Sequence, residues 1–224
     1  GGRFVRWPGR LALALLMVSA GTVPAQTLPG DEWPVVRPEY LDFQCPERPG
    51  QTPTTDAEAE RFAMRARYAV ILPALLARVG DTPASEYVMP VDGLRVSDVA
   101  NTFGADRGNR PHDGLDMFAP RNTPVRAAAP GFVYRIDDLS LGGLSVTILG
   151  DGGIRYFYTH FESVPDDLRE GQYVAVGDLI GYVGNSGNAA TTPTHLHFGV
   201  YGGEGDNPCG WAAFDPMPRM VDRP

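Results

Sequence analysis

Lysine is missing altogether from this 224-residue chain, and all 19 of its basic residues are arginine. Schiff-base chemistry on a lysine is therefore excluded. Positive charge is scarce as well: the formal net charge is −8, and no run of arginines is dense enough to follow a phosphate backbone or an anionic membrane surface. No nucleic-acid partner is expected on that ground. The apolar run from Leu11 to Ala20 falls well short of the roughly 20 residues that span a bilayer. Neither a phosphate-binding loop nor a dinucleotide fingerprint is present. Ser186, in Gly184-Asn185-Ser186-Gly187-Asn188, lacks the glycine two residues later that a nucleophile elbow requires. Histidine and cysteine are rare, with four of the first and two of the second.

What is abundant is glycine (27) and proline (21), with 43% hydrophobic and 21% charged residues. That composition suits a globular protein of short strands and tight turns. The first 25 residues read as an export signal. Arg3, Arg6 and Arg10 precede the apolar run, and Val23-Pro24-Ala25 precedes a cut ahead of Gln26, so residues 1–25 are expected to be a signal peptide and the protein to be periplasmic or extracellular. In an oxidising compartment, an even cysteine count predicts a Cys45–Cys209 disulfide. No stable membrane insertion is expected once the signal is removed.

Residues 26–90 form an N-terminal extension. Its one helix is expected over about 56–72, opened by the capping box Thr55-Asp56-Ala57-Glu58 and ended or kinked at Pro73. From Val91 the texture changes. Gly131–Ile136, Leu144–Leu149, Ile154–Phe161 and His195–Tyr201 are rich in β-branched and aromatic residues, and Gly150-Asp151-Gly152-Gly153 reads as a hairpin loop between two of them. Residues 177–184 form a further strand bounded by glycines. The expected fold is mainly β, an antiparallel β-sheet domain over residues 91–204, with 205–224 as a C-terminal tail.

The four histidines are His112, His160, His195 and His197. In Pro111-His112-Asp113-Gly114-Leu115-Asp116 the glycine and the flanking prolines argue against a helix. On a strand, His112, Gly114 and Asp116 share a face, while Leu115 and Met117 turn to the core. In His195-Leu196-His197-Phe198 both imidazoles share one face. Tyr156, Tyr158 and His160 are likewise expected on a common face. If the His112 and His195 strands are neighbours, two histidines and an aspartate can hold one zinc ion with a fourth position open, which is the form of a catalytic rather than a structural site. Two histidines then remain for acid–base work.

His112-Asp113-Gly114-Leu115-Asp116, Tyr158-Thr159-His160 and His195-Leu196-His197 resemble the three motifs of the M23 metallopeptidases, the lysostaphin-type peptidoglycan endopeptidases. Asn101-Thr102-Phe103-Gly104, Ala119–Val125, Gly181–Asn188 and Ala213-Phe214-Asp215-Pro216 extend the similarity. The resemblance implies an antiparallel β-sheet groove with the metal on its floor. It implies His112, Asp116 and His197 as ligands of one Zn2+, His160 and His195 as the catalytic pair, and peptidoglycan peptides as substrate. The alternative is a non-catalytic regulator or binding protein of cell-wall hydrolases built on the same domain with zinc ligands lost; here all three ligands and both catalytic histidines are present. The spacing also argues against a zinc carboxypeptidase acting on D-alanyl termini.

Overall fold

The computed structural model of the chain describes residues 71–108, 111–139, 142–204 and 207–224. The expected signal peptide, most of the expected helix, Cys45 and the Cys209 side chain lie outside the described residues. What is described of the helix is α1, residues 71–76, and it runs through Pro73, with Ala77 N donating to the Pro73 carbonyl at 3.0 Å. The expected end of the helix near Leu72 is therefore corrected, while the alternative of a kink there turns on residues outside the described ones. Leu72, Leu75, Leu76 and Val79 bury against Phe132, Tyr134 and Leu149. That packing outweighs the local preference of proline.

The strands in chain order are β1 (Tyr87–Val88), β2 (Leu115–Phe118), β3 (Pro124–Arg126), β4 (Gly131–Leu139), β5 (Gly143–Leu149) and β6 (Arg155–Thr159), then β7 (Phe161–Ser163), β8 (Tyr173–Val174), β9 (Leu179–Val183), β10 (His195–Glu204), β11 (Asn207–Phe214) and β12 (Met220–Val221). The main sheet runs β11-β10-β6-β5-β4-β8, and β2 also pairs with β10. Its pairings are antiparallel. A second sheet, β3-β9-β7, and a parallel pair, β1-β12, complete the pattern. The β5–β6 hairpin turns through Gly150–Gly153 as expected, and Gly152 and Gly153 adopt φ of 69° and 72° there, a region that side-chain-bearing residues avoid.

One face of the main sheet carries the core. Tyr156, Tyr158, Leu196, Phe198, Val146, Ile148, Leu115 and Met117 are fully buried on it and pack with Val125, Phe161, Ile180 and Val183 of the second sheet. The opposite face carries polar groups, because cross-strand partners share a face: His197 stands beside Asp116 on β2 and Thr159 on β6. Segments flanking the 91–204 region join in. Residues 205–224 supply β11 and β12, and Arg223 and Arg126 both hold the Asp92 carboxylate. Burial alone would raise the Asp92 carboxyl, but these two arginines keep it below its ordinary value. Among the described residues no helix is long and apolar enough to cross a membrane.

Candidate metal centre and its histidines

Register puts the site together. Strand β2 lies antiparallel to β10 with Asp116 opposite His197 and Phe118 opposite His195, so residues about 80 positions apart in sequence stand side by side. The alternation expected for 195–198 is present: Leu196 and Phe198 are fully buried in the core, while both histidines lie on the other face. His112 precedes β2 rather than lying on it. The loop before it holds it in place, with Gly104 N donating to the His112 carbonyl and His112 N to the Ala105 carbonyl, each at 2.8 Å.

The side chains of His112, Asp116 and His197 converge. His112 Nε2 is 2.9 Å from His197 Nδ1, and Asp116 Oδ1 is 3.1 Å from each of them. The residues expose only 8%, 9% and 8% of their surface. His112 Nδ1 donates to the Thr102 carbonyl at 2.9 Å, which leaves the Nε2 lone pair facing inward. His197 Nε2 lies 3.8 Å from the Asp113 carboxylate, while Nδ1 turns inward, 3.1 Å from Asp116 Oδ1. Three atoms able to act as metal ligands, His112 Nε2, His197 Nδ1 and Asp116 Oδ1, thus crowd together. A tetrahedral zinc ion bonded at about 2.0–2.1 Å would hold its ligand atoms about 3.3 Å apart, so the donor set fits such an ion in chemistry and in size.

His160 departs from the sequence expectation. Strand β6 ends at Thr159, and His160 adopts φ of 69°. Its ring therefore leaves the core face of Tyr156 and Tyr158 and reaches the polar side, with its centroid 4.9 Å from that of His195 and 6.1 Å from that of His197. A left-handed backbone at a non-glycine residue costs roughly 1–3 kcal/mol and persists where the surroundings over-determine it. Here His160 N donates to the Gly142 carbonyl at 3.1 Å and Nδ1 to the Ser186 carbonyl at 2.9 Å. Ser186 is itself held through Leu144 N, which donates to its Oγ. His195 repeats the device, its Nδ1 donating to the Pro193 carbonyl at 2.9 Å. Both rings thus keep the Nε2 lone pair for the site, and His195 Nε2 lies 3.9 Å from Asp116 Oδ1.

Burial would raise the Asp116 carboxyl, but the His197 and His112 rings and the Arg107 guanidinium outweigh it and hold the group well below the usual carboxylate range. Burial pushes His112 down, and it takes His160 down to about 4 against the pull of the Ser186 carbonyl, with His195 and His197 adding to the fall. Both rings are therefore neutral near pH 7.

The structure thus brings together all five residues singled out in the sequence. Other functional contacts carried no signal there. Thr102 receives His112 through its carbonyl and Asp116 N through Oγ1, Arg107 bonds Asp116 Oδ2, and Phe118, 55% exposed, lies 5.2 Å from the His195 ring. Gly114 proves to be a packing requirement, since a Cβ there would lie 2.6 Å from the Phe198 carbonyl oxygen and 2.7 Å from the His197 ring.

Comparison with known proteins adds a family match over part of the chain. The chain is 30% identical over 149 residues to the L-Ala--D-Glu endopeptidase of Bacillus subtilis, a match over 63% of this chain and 45% of that protein. It is 31% identical over 132 residues to the DD-carboxypeptidase/endopeptidase Mpg of Neisseria meningitidis, over 58% of this chain and 28% of that one. The chain thus spans less than half the length of these relatives. Among solved structures, a Ruminococcus gnavus protein named for a glycyl-glycine endopeptidase, lytM, superposes with a TM-score of 0.50 at 22% identity over 77% of each chain, a likeness of fold. Residues 110–208 match Peptidase family M23, and the matched segment holds His112, Asp116, His160, His195 and His197.

Proposed function

We propose that the chain is a zinc-dependent peptidase that hydrolyses peptide bonds in the stem peptides or cross-bridges of bacterial cell-wall peptidoglycan. The observation that carries this reading is the buried triangle of three atoms able to act as metal ligands, 2.9–3.1 Å apart, beside two further histidines whose Nε2 atoms are free to take a proton. His112, Asp116 and His197 are the ligands in this reading. Zinc held there supplies a Lewis acid for the scissile carbonyl and lowers the pKa of a bound water toward about 7.

The remaining steps belong to the chain's own residues. With Nδ1–H of both His160 and His195 committed to backbone carbonyls, each ring can accept a proton only at Nε2. One of them takes the proton that water gives up as its oxygen adds to the scissile carbonyl carbon. The protonated ring is then a donor, either to the oxyanion or to the leaving amine nitrogen as the C–N bond breaks. Burial of the pair excludes bulk water from the transfer.

Export to the periplasm or the exterior, with a Cys45–Cys209 bridge, belongs to the same reading and is supported by the amino-terminal charge and apolar pattern and by the even cysteine count. The regulator alternative is disfavoured because all five site residues are present and converge. A carboxypeptidase action on D-alanyl termini, set aside from motif spacing, returns as a second reading. A relative 31% identical over 132 residues is named for both carboxypeptidase and endopeptidase activities, so resemblance does not separate the two. Digestion of purified peptidoglycan by the metal-loaded protein, followed by mass analysis of the products, tests the proposal. Release of internal stem or bridge fragments supports the endopeptidase, loss of single alanines from stem termini supports the carboxypeptidase, and an unchanged digest contradicts both.

A further inference from the structure

The loop that precedes β2 contributes more than the Thr102 contacts. Arg107 reaches across it and donates from Nη2 to Asp116 Oδ2 at 2.5 Å. The other oxygen, Oδ1, is the one that stands 3.1 Å from both His112 Nε2 and His197 Nδ1. The two oxygens of one carboxylate are thus assigned different partners. Asp116 is 9% exposed, while the Arg107 side chain is 47% exposed at the rim of the site. Loop geometry holds the guanidinium in reach: Gly108 N donates to Asp106 Oδ1, and Asp106 bridges to Pro111.

We infer that Arg107 is a positioning residue that makes Asp116 a one-oxygen ligand. An aspartate on a strand can offer a metal either one oxygen or both, and a half-turn about its terminal torsion exchanges them. A guanidinium on Oδ2 removes that freedom. It blocks two-oxygen binding, and it offsets the charge of the oxygen that faces away from the histidines. Partners of this kind, one step out from the ligands, typically change metal affinity 10–100-fold when removed. Lysine carries the charge but not the planar fork, so it is a partial replacement at best.

The inference rests on the zinc reading above, and the test separates the two. Zinc affinity is measured by chelator competition on the full chain for the parent protein, Arg107→Ala, Arg107→Lys and His197→Ala, with the unfolding midpoint of each metal-free protein alongside. Visible spectra of the cobalt(II) forms report coordination number. The expected result is tight zinc binding by the parent and its loss in His197→Ala. Arg107→Ala should bind zinc about 10–100-fold more weakly, with an unchanged metal-free midpoint and weaker cobalt bands, as a fifth donor atom enters. Arg107→Lys should fall between. A parent that binds no zinc overturns the metal reading itself. Zinc affinity and cobalt bands in Arg107→Ala equal to the parent overturn only the Arg107 role, and if its KM for peptidoglycan alone rises, Arg107 touches substrate instead. A weakened affinity that tracks a lowered metal-free midpoint, with no gain in Arg107→Lys, overturns it as well, since Arg107 would then merely hold the loop.

Discussion

Substitution of Gly114 by alanine isolates the demand that the site makes on its backbone. A Cβ at this position would lie 2.6 Å from the Phe198 carbonyl oxygen and 2.7 Å from His197 Cε1 and Nε2. The carbonyl belongs to β10, where Phe198 pairs with Leu115 on one side and Tyr158 on the other, so it cannot retreat alone. The His197 ring must therefore move by about 0.8 Å to reach an ordinary contact of about 3.5 Å. Overpacking of this kind costs about 1–3 kcal/mol, and a misplacement near 1 Å can lower turnover on the order of 100-fold. Zinc content, turnover on peptidoglycan and the unfolding midpoint of Gly114→Ala are the readouts, and all three should fall. Gly171→Ala is the control. Gly171 has φ of 84° and nothing within 4 Å of its Cβ position, so alanine there costs about 1 kcal/mol or slightly more in backbone strain and leaves zinc and turnover intact. If Gly114→Ala keeps parental zinc and turnover, the close approach to His197 has no functional meaning.

His160→Ala and His195→Ala should each retain zinc and lose two or more orders of magnitude in turnover, as expected of acid–base or oxyanion groups; zinc-loaded variants with near-parental kcat would remove the residue concerned from the mechanism. Burial holds His160 at about 4, below its ordinary 6.5, so the unfolded chain binds the extra proton between those values. The corresponding stability, about 3 kcal/mol, is complete above pH 6.5 and is lost as pH falls toward 4. In denaturant titrations of metal-free protein, the parent should therefore lose more stability than His160→Asn over that window, and parallel losses would contradict a buried neutral His160. Protein taken from its native compartment should contain no free thiol, and mass spectrometry that finds Cys45 and Cys209 both reduced would reject the bridge.

Much of the site was legible because the sheet has two chemically distinct faces. Along β10, Leu196 and Phe198 alternate with His195 and His197, and a period of two is enough to separate core from site. The close approach of Gly114 to Phe198 and His197 did not show in the sequence, because β10 supplies both neighbours. Nor did the placement of His160: simple alternation joins it to Tyr156 and Tyr158, and the left-handed turn that frees it rests on hydrogen bonds that it donates to the Gly142 and Ser186 carbonyls, which are remote in sequence. Pro73 does not end the helix at Leu72, since α1 packs on Phe132, Tyr134 and Leu149. The parallel pairing of β1 with β12 and the grip of Arg223 on Asp92 join segments more than 100 residues apart, with no local pattern to announce them. Arg107 is one arginine among 19, and only the fold shows which carboxylate oxygen it takes.

The most direct test is zinc stoichiometry and peptidoglycan cleavage measured on the same preparation of the parent protein and of His197→Ala. One zinc per chain, together with new amino and carboxyl ends released from peptidoglycan, is expected for the parent, with both lost in His197→Ala. A parent protein that stays free of zinc after reconstitution, or a His197→Ala protein that keeps both metal and cleavage, would contradict a zinc peptidase built on His112, Asp116 and His197.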